Sequence, residues 1–235
     1  RDLRSPLFGQ PSRAARGDRA PAPPPAGLQQ QLEALAESYK EPVGVAITDV
    51  ERGWTVSAAG EDLYPQQSVS KLWVTLTVLD QVDRGELALD SPVMVWPEDR
   101  SVFSQPVTQM IGRLGYPTTV EDLVRRSLIQ SDNAANDKLI ELAGGVEAVS
   151  ETLAAKQLAD IRIGADEKNL QSTIAGLVWD PKLAGWRFKE AREKLPPLMR
   201  EAALNAYLAD PLDGASPVGI VQALAALKRG ELLSP

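Results

Sequence analysis

One segment of the chain, residues 70–84, is apolar on nearly every side and constrains the fold more than any other. Its large apolar residues occupy almost consecutive positions: Leu72, Trp73, Val74, Leu76, Val78, Leu79 and Val82. A helix that is apolar all round is stable only when other elements surround it. Gly85 is well placed to end such a helix. The segment therefore predicts a helix buried inside a domain.

The rest of the chain reads as a few strands followed by helices. Residues 1–27 are rich in Pro, Ala, Arg and Gly and predict a flexible tether. An amphipathic helix is expected over 29–40, followed by two strands around a turn at Arg52-Gly53, which together form an antiparallel hairpin. Further helices are predicted over 119–130, over 134–143, after Pro196-Pro197, and from Ser216-Pro217 to Gly230.

Composition excludes several classes of function. The 235 residues, 43% of them hydrophobic, provide a substantial core, and the net charge of -7 argues against nucleic-acid binding. No apolar run is long enough for a membrane span, and no signal peptide is present, so any export signal is expected to have been removed. Without cysteine or histidine, a transition-metal site has few available ligands, so we predict no metal and no cofactor.

The start of the buried helix carries a serine and a lysine three residues apart, Ser68 and Lys71. Residues at this spacing share one face of a helix, so the amine can reach the hydroxyl. The absence of histidine excludes a Ser-His-Asp hydrolase, whereas burial among apolar residues favours the neutral amine that can accept a proton. A serine N-cap beside an incidental surface lysine is the alternative interpretation.

A second polar group, Ser131-Asp132-Asn133, lies between two predicted helices. Ser, Asp and Asn are preferred at helix caps, so a purely structural role is one interpretation. Together with Ser68 and Lys71, however, the triplet supplies a hydroxyl for proton relay and an amide for a substrate carbonyl. The combination favours a catalytic site.

With these two motifs, the chain resembles the serine β-lactamase and penicillin-binding protein superfamily, and most of all the class A β-lactamases, from about Gln29 to Pro235. Glu167-Lys168-Asn169-Leu170-Gln171 resembles the family's Glu-x-x-Leu-Asn element. The resemblance implies an α/β (α+β) fold with a helical lobe and an antiparallel sheet flanked by helices. It also implies that residues 28–235 are the catalytic domain.

The resemblance further implies a role for each site residue. Ser68 is the acyl-forming nucleophile, Lys71 is its base or proton partner, and Ser131 donates a proton to the leaving nitrogen. Asn133 binds the substrate's side-chain amide, and Glu167 activates the hydrolytic water. Gln171 stands where the family usually has asparagine, which keeps an amide for the water but moves it by one methylene.

Three differences from the family pattern stand beside this resemblance. One is the glutamine at position 171, and the second is the segment 172–209, which is much longer than the family's loop. Ala165 occupies the region of an arginine that usually pairs with the aspartate closing that loop, although Arg162 is near. The third is the absence of Lys-Thr-Gly or Lys-Ser-Gly and of the strands around it, which predicts an incomplete domain that is inactive by itself.

The expected function is that of a periplasmic or secreted serine β-lactamase acting on a small β-lactam or a peptidoglycan-like peptide. A D-alanyl-D-alanine peptidase or penicillin-binding protein is the alternative in which the acyl-enzyme persists. A non-catalytic penicillin-sensing protein on the same fold, with the long segment as its interaction surface, is another alternative, and an esterase of small substrates is the last. The sequence does not determine the oligomeric state.

Overall fold

A computed structural model describes residues 22–234 of the chain. The predicted tether, 1–27, lies mostly outside the described residues. Its last six residues lead into the first helix, and the Ala22 N–H donates to the Arg52 carbonyl at 3.2 Å. None of the described helices is both long and apolar enough to cross a membrane.

The described part of the chain contains nine α-helices and six short strands. The helices are α1 Leu28–Glu37, α2 Lys71–Asp83, α3 Val120–Gln130, α4 Asn133–Leu142, α5 Val146–Ala155, α6 Glu167–Ala175, α7 Trp186–Lys194, α8 Pro197–Ala209 and α9 Pro217–Lys228. The strands are β1 Val45–Asp49, β2 Trp54–Ala58, β3 Tyr64–Pro65, β4 Pro92–Val95, β5 Tyr116–Thr119 and β6 Gly214–Ala215.

Each strand pairs with one antiparallel partner: β1 with β2, β3 with β6, and β4 with β5. The β1–β2 hairpin runs in register from Val45 opposite Ala58 to Asp49 opposite Trp54. Helix α1 buries Leu32 against β2, and α9 packs against β1. The hairpin is therefore flanked by helices, and the other edge of β1 carries no strand among residues 22–234.

Helix α2 lies at the centre of the helical lobe, as its apolar sequence predicts. Trp73, Val74 and Val78 are each at most 1% exposed, and α3, α4 and α5 pack around the helix. Burying side chains of this size contributes about 1.5–3 kcal/mol each to stability. The mixed fold, with a helical lobe beside a flanked antiparallel hairpin, agrees with the expected class.

The structure also contains elements that the sequence pattern missed. Strands β4 and β5 each have four residues, too few for alternation to stand out, and β5 runs straight into α3, whose N-cap is Thr119. Within the long segment 172–209, only α8 was expected. Helix α7 has little apolar periodicity of its own and is anchored by Phe188, which is buried with Val102 and Ala175.

Candidate active site

Ser68 lies in a single 3-10 turn, Gln67–Ser70, which continues directly into α2 at Lys71. The buried helix thus begins as a 3-10 turn and not at Ser68 as a regular α-helix. Residues three apart are eclipsed in a 3-10 turn, which brings Lys71 directly over Ser68. The Lys71 Nζ donates to the Ser68 Oγ at 3.1 Å.

The Lys71 amine also donates to the Glu167 Oε1 at 2.5 Å. The two residues are 1% and 4% exposed, so they form a buried ion pair between the first residues of α2 and α6. Removing either partner of such a pair leaves an uncompensated charge. Lys71 is thus buried, as the sequence predicts, but its amine is paired with a carboxylate and not surrounded by apolar side chains alone, which differs from the environment expected to favour a neutral amine.

Ser131 completes a cluster of polar groups around the candidate nucleophile. Its backbone is left-handed, with φ 53°, and its Oγ donates to the Ser68 Oγ at 2.8 Å. A left-handed serine costs conformational energy, so the surrounding structure must hold it there. Ser68 therefore has two polar neighbours, an amine on one side and a hydroxyl on the other.

The other two residues of the triplet attach this cluster to the lobe. Asp132 caps α4 by accepting from the Ala135 N–H and also accepts from the Val107 N–H at 2.6 Å. Burial raises the pKa of Asp132, and these backbone hydrogen bonds act in the opposite direction. The Asn133 Nδ2 donates to the Val102 carbonyl at 2.9 Å, which fixes the orientation of this amide, and its role in substrate binding stays a prediction.

Asp137 is a site residue that the sequence reasoning missed. It is 5% exposed and accepts hydrogen bonds from the Glu167 N–H at 2.6 Å and the Ser101 hydroxyl at 2.7 Å. Its carboxyl therefore ties α4 to the first residue of α6 and fixes where Glu167 stands. The available signal was a carboxylate among the otherwise uncharged residues 134–137, which directly follow the triplet.

Replacing Asp137 with asparagine is expected to flatten the pH dependence of folding stability. Burial, followed by the charge of Asp166, raises the pKa of Asp137 to about 7 from 3.8. The folded protein thus binds this proton more tightly than the unfolded chain does. The stability contribution is full below pH 4 and is lost as the pH rises through 7, by at most about 4 kcal/mol.

Urea denaturation at several pH values between 4 and 8 measures this effect. The Asp137→Asn variant should lose the part of the decline in unfolding free energy that Asp137 contributes, because an amide does not titrate. The exposed Asp90→Asn variant is the matched control and should keep the wild-type slope. A wild-type slope in Asp137→Asn would contradict the assignment.

Hydrogen bonds and an ion pair bring together the two ends of the segment from Arg162 to Asp213. The Arg162 N–H donates to the Gly214 carbonyl at 2.9 Å, and its guanidinium pairs with Asp210 at 2.8 Å on the surface. Asp213 instead accepts from the Gln67 N–H at 2.6 Å and from the Tyr207 hydroxyl at 2.9 Å. Arg162 therefore pairs with Asp210, whereas Asp213 is bound by Tyr207.

Gln171 lies one turn after Glu167 on α6, and its Nε2 donates to the Gln67 Oε1 at 2.9 Å. Four of the six residues predicted for the site are joined by hydrogen bonds: Ser68, Lys71, Ser131 and Glu167. Gln171 reaches Gln67, the neighbour of Ser68, whereas the Asn133 amide bonds to the Val102 carbonyl and to none of the other five. Within residues 22–234, no group of three acidic side chains is arranged to hold a metal ion.

The sequence matches the Beta-lactamase enzyme family over residues 27–235, and the chain belongs to that family. Within it, the fold and the relatives place the chain in the superfamily of class A serine β-lactamases and penicillin-binding proteins.

Individual relatives agree with this placement. Beta-lactamase VEB-1 of Pseudomonas aeruginosa is 27% identical over 72% of this chain and 54% of that protein. Beta-lactamase L2 of Stenotrophomonas maltophilia is 32% identical over 73% and 55%. The solved structure of an ancestral class A β-lactamase superposes with a TM-score of 0.64 at 26% identity, covering 88% of this chain and 66% of that one. The chain thus spans about half the length of the curated relatives it matches.

Proposed function

We propose that the protein is a serine β-lactamase that opens the lactam amide through an acyl-enzyme on Ser68. One observation carries the proposal: the Ser68 Oγ lies 3.1 Å from the Lys71 amine and 2.8 Å from the Ser131 hydroxyl, and the amine contacts Glu167. A nucleophile, a group that accepts its proton and a proton donor thus occupy one cluster, which is the arrangement that acyl transfer requires.

In the proposed acylation, the Ser68 Oγ attacks the lactam carbonyl carbon while its proton passes to the Lys71–Glu167 pair. The tetrahedral intermediate then collapses as the carbon–nitrogen bond of the ring breaks. Ser131 gives its proton to the departing nitrogen and is reprotonated through Lys71. The product is an ester between Ser68 and the opened drug, with no change in oxidation state.

Deacylation is the step that separates a β-lactamase from a protein inhibited by β-lactams. Glu167 takes a proton from a water molecule, which attacks the ester carbonyl, and the Ser68 oxygen leaves with a proton returned from the site. The buried Glu167 is fixed by the Asp137 carboxylate at its own backbone N–H. A general base held this firmly can act on a positioned water at low cost in entropy.

Intact-mass spectrometry of the protein, as its gene encodes it, tests the proposal over a time course with a penicillin. The expected result is a transient adduct, mapped by peptide sequencing to Ser68, that disappears as hydrolysed drug accumulates. The Ser68→Ala variant is the control and should remain unlabelled. An adduct on another residue, or hydrolysis without an adduct, would contradict the assignment of the nucleophile.

The same experiment separates the remaining alternatives. A lasting Ser68 adduct with no hydrolysed drug would indicate a D-alanyl-D-alanine peptidase, a penicillin-binding protein or a penicillin-sensing protein. For a β-lactamase, we also propose a periplasmic or secreted location, because β-lactams act outside the cytoplasm. Immunoblotting of cell fractions tests that location directly.

A further inference from the structure

Four side chains form a continuous hydrogen-bonded network behind the candidate nucleophile. The Tyr207 hydroxyl donates to the Asp213 Oδ1 at 2.9 Å and accepts from the Gln67 Nε2 at 2.6 Å. The Gln67 Oε1 in turn accepts from the Gln171 Nε2 at 2.9 Å. The network therefore runs from α8, in the long segment 172–209, to the face of α6 that carries Glu167.

The direction of each bond in this network is determined by the first. Asp213 is 3% exposed, and its carboxylate binds the only hydrogen of the Tyr207 hydroxyl. Burial and the neighbouring Asp213 raise the pKa of Tyr207, so the hydroxyl keeps that hydrogen. The tyrosine oxygen can then only accept, and Gln67 must present its amide nitrogen to it.

The same reasoning reaches Gln171. Because the Gln67 Nε2 donates to the Tyr207 hydroxyl, the Gln67 Oε1 faces Gln171 and needs a hydrogen-bond donor there. Gln171 must therefore present its nitrogen to Gln67, and its Oε1 accepts no hydrogen bond from the described side chains and backbone. A free carbonyl oxygen on the side chain one turn from Glu167 is suited to accept a hydrogen bond from a water.

We propose that Tyr207 is a positioning residue for deacylation, acting through Gln67 to fix which atom of Gln171 is available to the hydrolytic water. This inference rests on the proposed function. Tyr207 is 6% exposed on α8 and makes no hydrogen bond to Ser68, Lys71 or Glu167, so its effect is transmitted by Gln67.

The inference connects two of the differences from the family pattern. A glutamine side chain has one more rotatable bond than an asparagine, so holding its amide in one orientation costs more conformational entropy. An external partner offsets that cost. The long segment 172–209 supplies this partner, because Tyr207 lies at its end, and Gln67 spans the remaining gap.

The Tyr207→Phe variant tests the inference by removing one hydroxyl while keeping the ring. With benzylpenicillin, deacylation should slow by about tenfold, the effect of one lost hydrogen bond, and acylation should stay within about threefold of wild type. Intact-mass kinetics measures both rate constants. The Gln67→Met variant interrupts the same network, so it should also slow deacylation and leave acylation nearly unchanged. The double variant should deacylate no more slowly than either single variant.

Tyr116→Phe is the matched control, because the Tyr116 hydroxyl is also hydrogen-bonded and accepts from Arg126 at 3.2 Å. This variant should deacylate at the wild-type rate. Normal deacylation in Tyr207→Phe would overturn the inference, as would an equal loss of both rates. If Tyr207→Phe does not fold, Gln67→Met decides by the same two rates. If the unmutated protein forms no adduct, the proposed function fails, and the inference fails with it. If the unmutated protein forms and hydrolyses the adduct and Tyr207→Phe deacylates at the same rate, the inference alone is overturned.

Discussion

Replacing Glu167 with glutamine is expected to convert a transient acyl-enzyme into a long-lived one. The variant keeps an oxygen that can accept from Lys71 but loses the carboxylate that takes the proton of water. Deacylation should slow by about a thousandfold, within the range for loss of a general base. Acylation is less affected, because the strained lactam is intrinsically reactive and Lys71 still lies beside Ser68.

Intact-mass spectrometry measures this result as a Ser68 adduct that persists after free penicillin is removed. Glu151→Gln, an exposed position on α5, is the matched control and should turn over normally. Unchanged turnover in Glu167→Gln would remove the residue from the mechanism. The acylation rate of the same variant also shows which member of the Lys71–Glu167 pair takes the Ser68 proton, since a large loss would assign that proton to Glu167.

Replacing Lys71 with methionine is expected to slow acylation by about a thousandfold. Methionine fills much of the same volume but offers no atom that can accept the Ser68 proton. It also leaves the Glu167 carboxylate buried without its partner, so the free energy of unfolding should fall by about 3–5 kcal/mol. Stopped-flow acylation kinetics and urea denaturation measure the two effects separately.

Lys138→Met is the matched control for this loss of stability. Lys138 is also a largely buried lysine paired with carboxylates, those of Asp99 and Glu141, but it lies outside the Ser68 cluster. The Lys138→Met variant should have a lower free energy of unfolding and an unchanged acylation rate. Rapid acylation of Lys71→Met would contradict the role of Lys71 as the proton acceptor or its partner.

The sequence was sufficient for features that depend on neighbouring residues. The spacing of Ser68 and Lys71 predicts their contact, because three positions bring side chains together on a helical turn of either type. The caps at Asp132 and Ser216 follow from the local preference of short polar side chains for helix N-termini. The apolar run after Lys71 predicts that helix α2 is buried, because every side of the helix carries apolar residues whose exposure to water is unfavourable.

Contacts between residues distant in sequence could not be predicted in this way. The role of Asp137 depends on the approach of α4 to α6, thirty residues further along the chain. The pairing of Arg162 with Asp210, and of Gln67 with Tyr207, depends on how the long segment folds back on the rest of the chain. Many different pairs of residues could form contacts of this kind, so no short sequence motif predicts them.

By itself, then, the sequence determined the chemical groups of the site and the helices α2, α3 and α4 next to which the two serine motifs stand, but not α6, which carries Glu167. The tertiary structure decided which group faces which: it paired Lys71 with Glu167 in a buried site and connected Tyr207, through Gln67, to Gln171. The reason is physical. Local propensities act over a few residues, whereas packing selects the partners of a buried polar group. Such a group has little access to water, so it must form its hydrogen bonds with the other polar groups that packing places beside it.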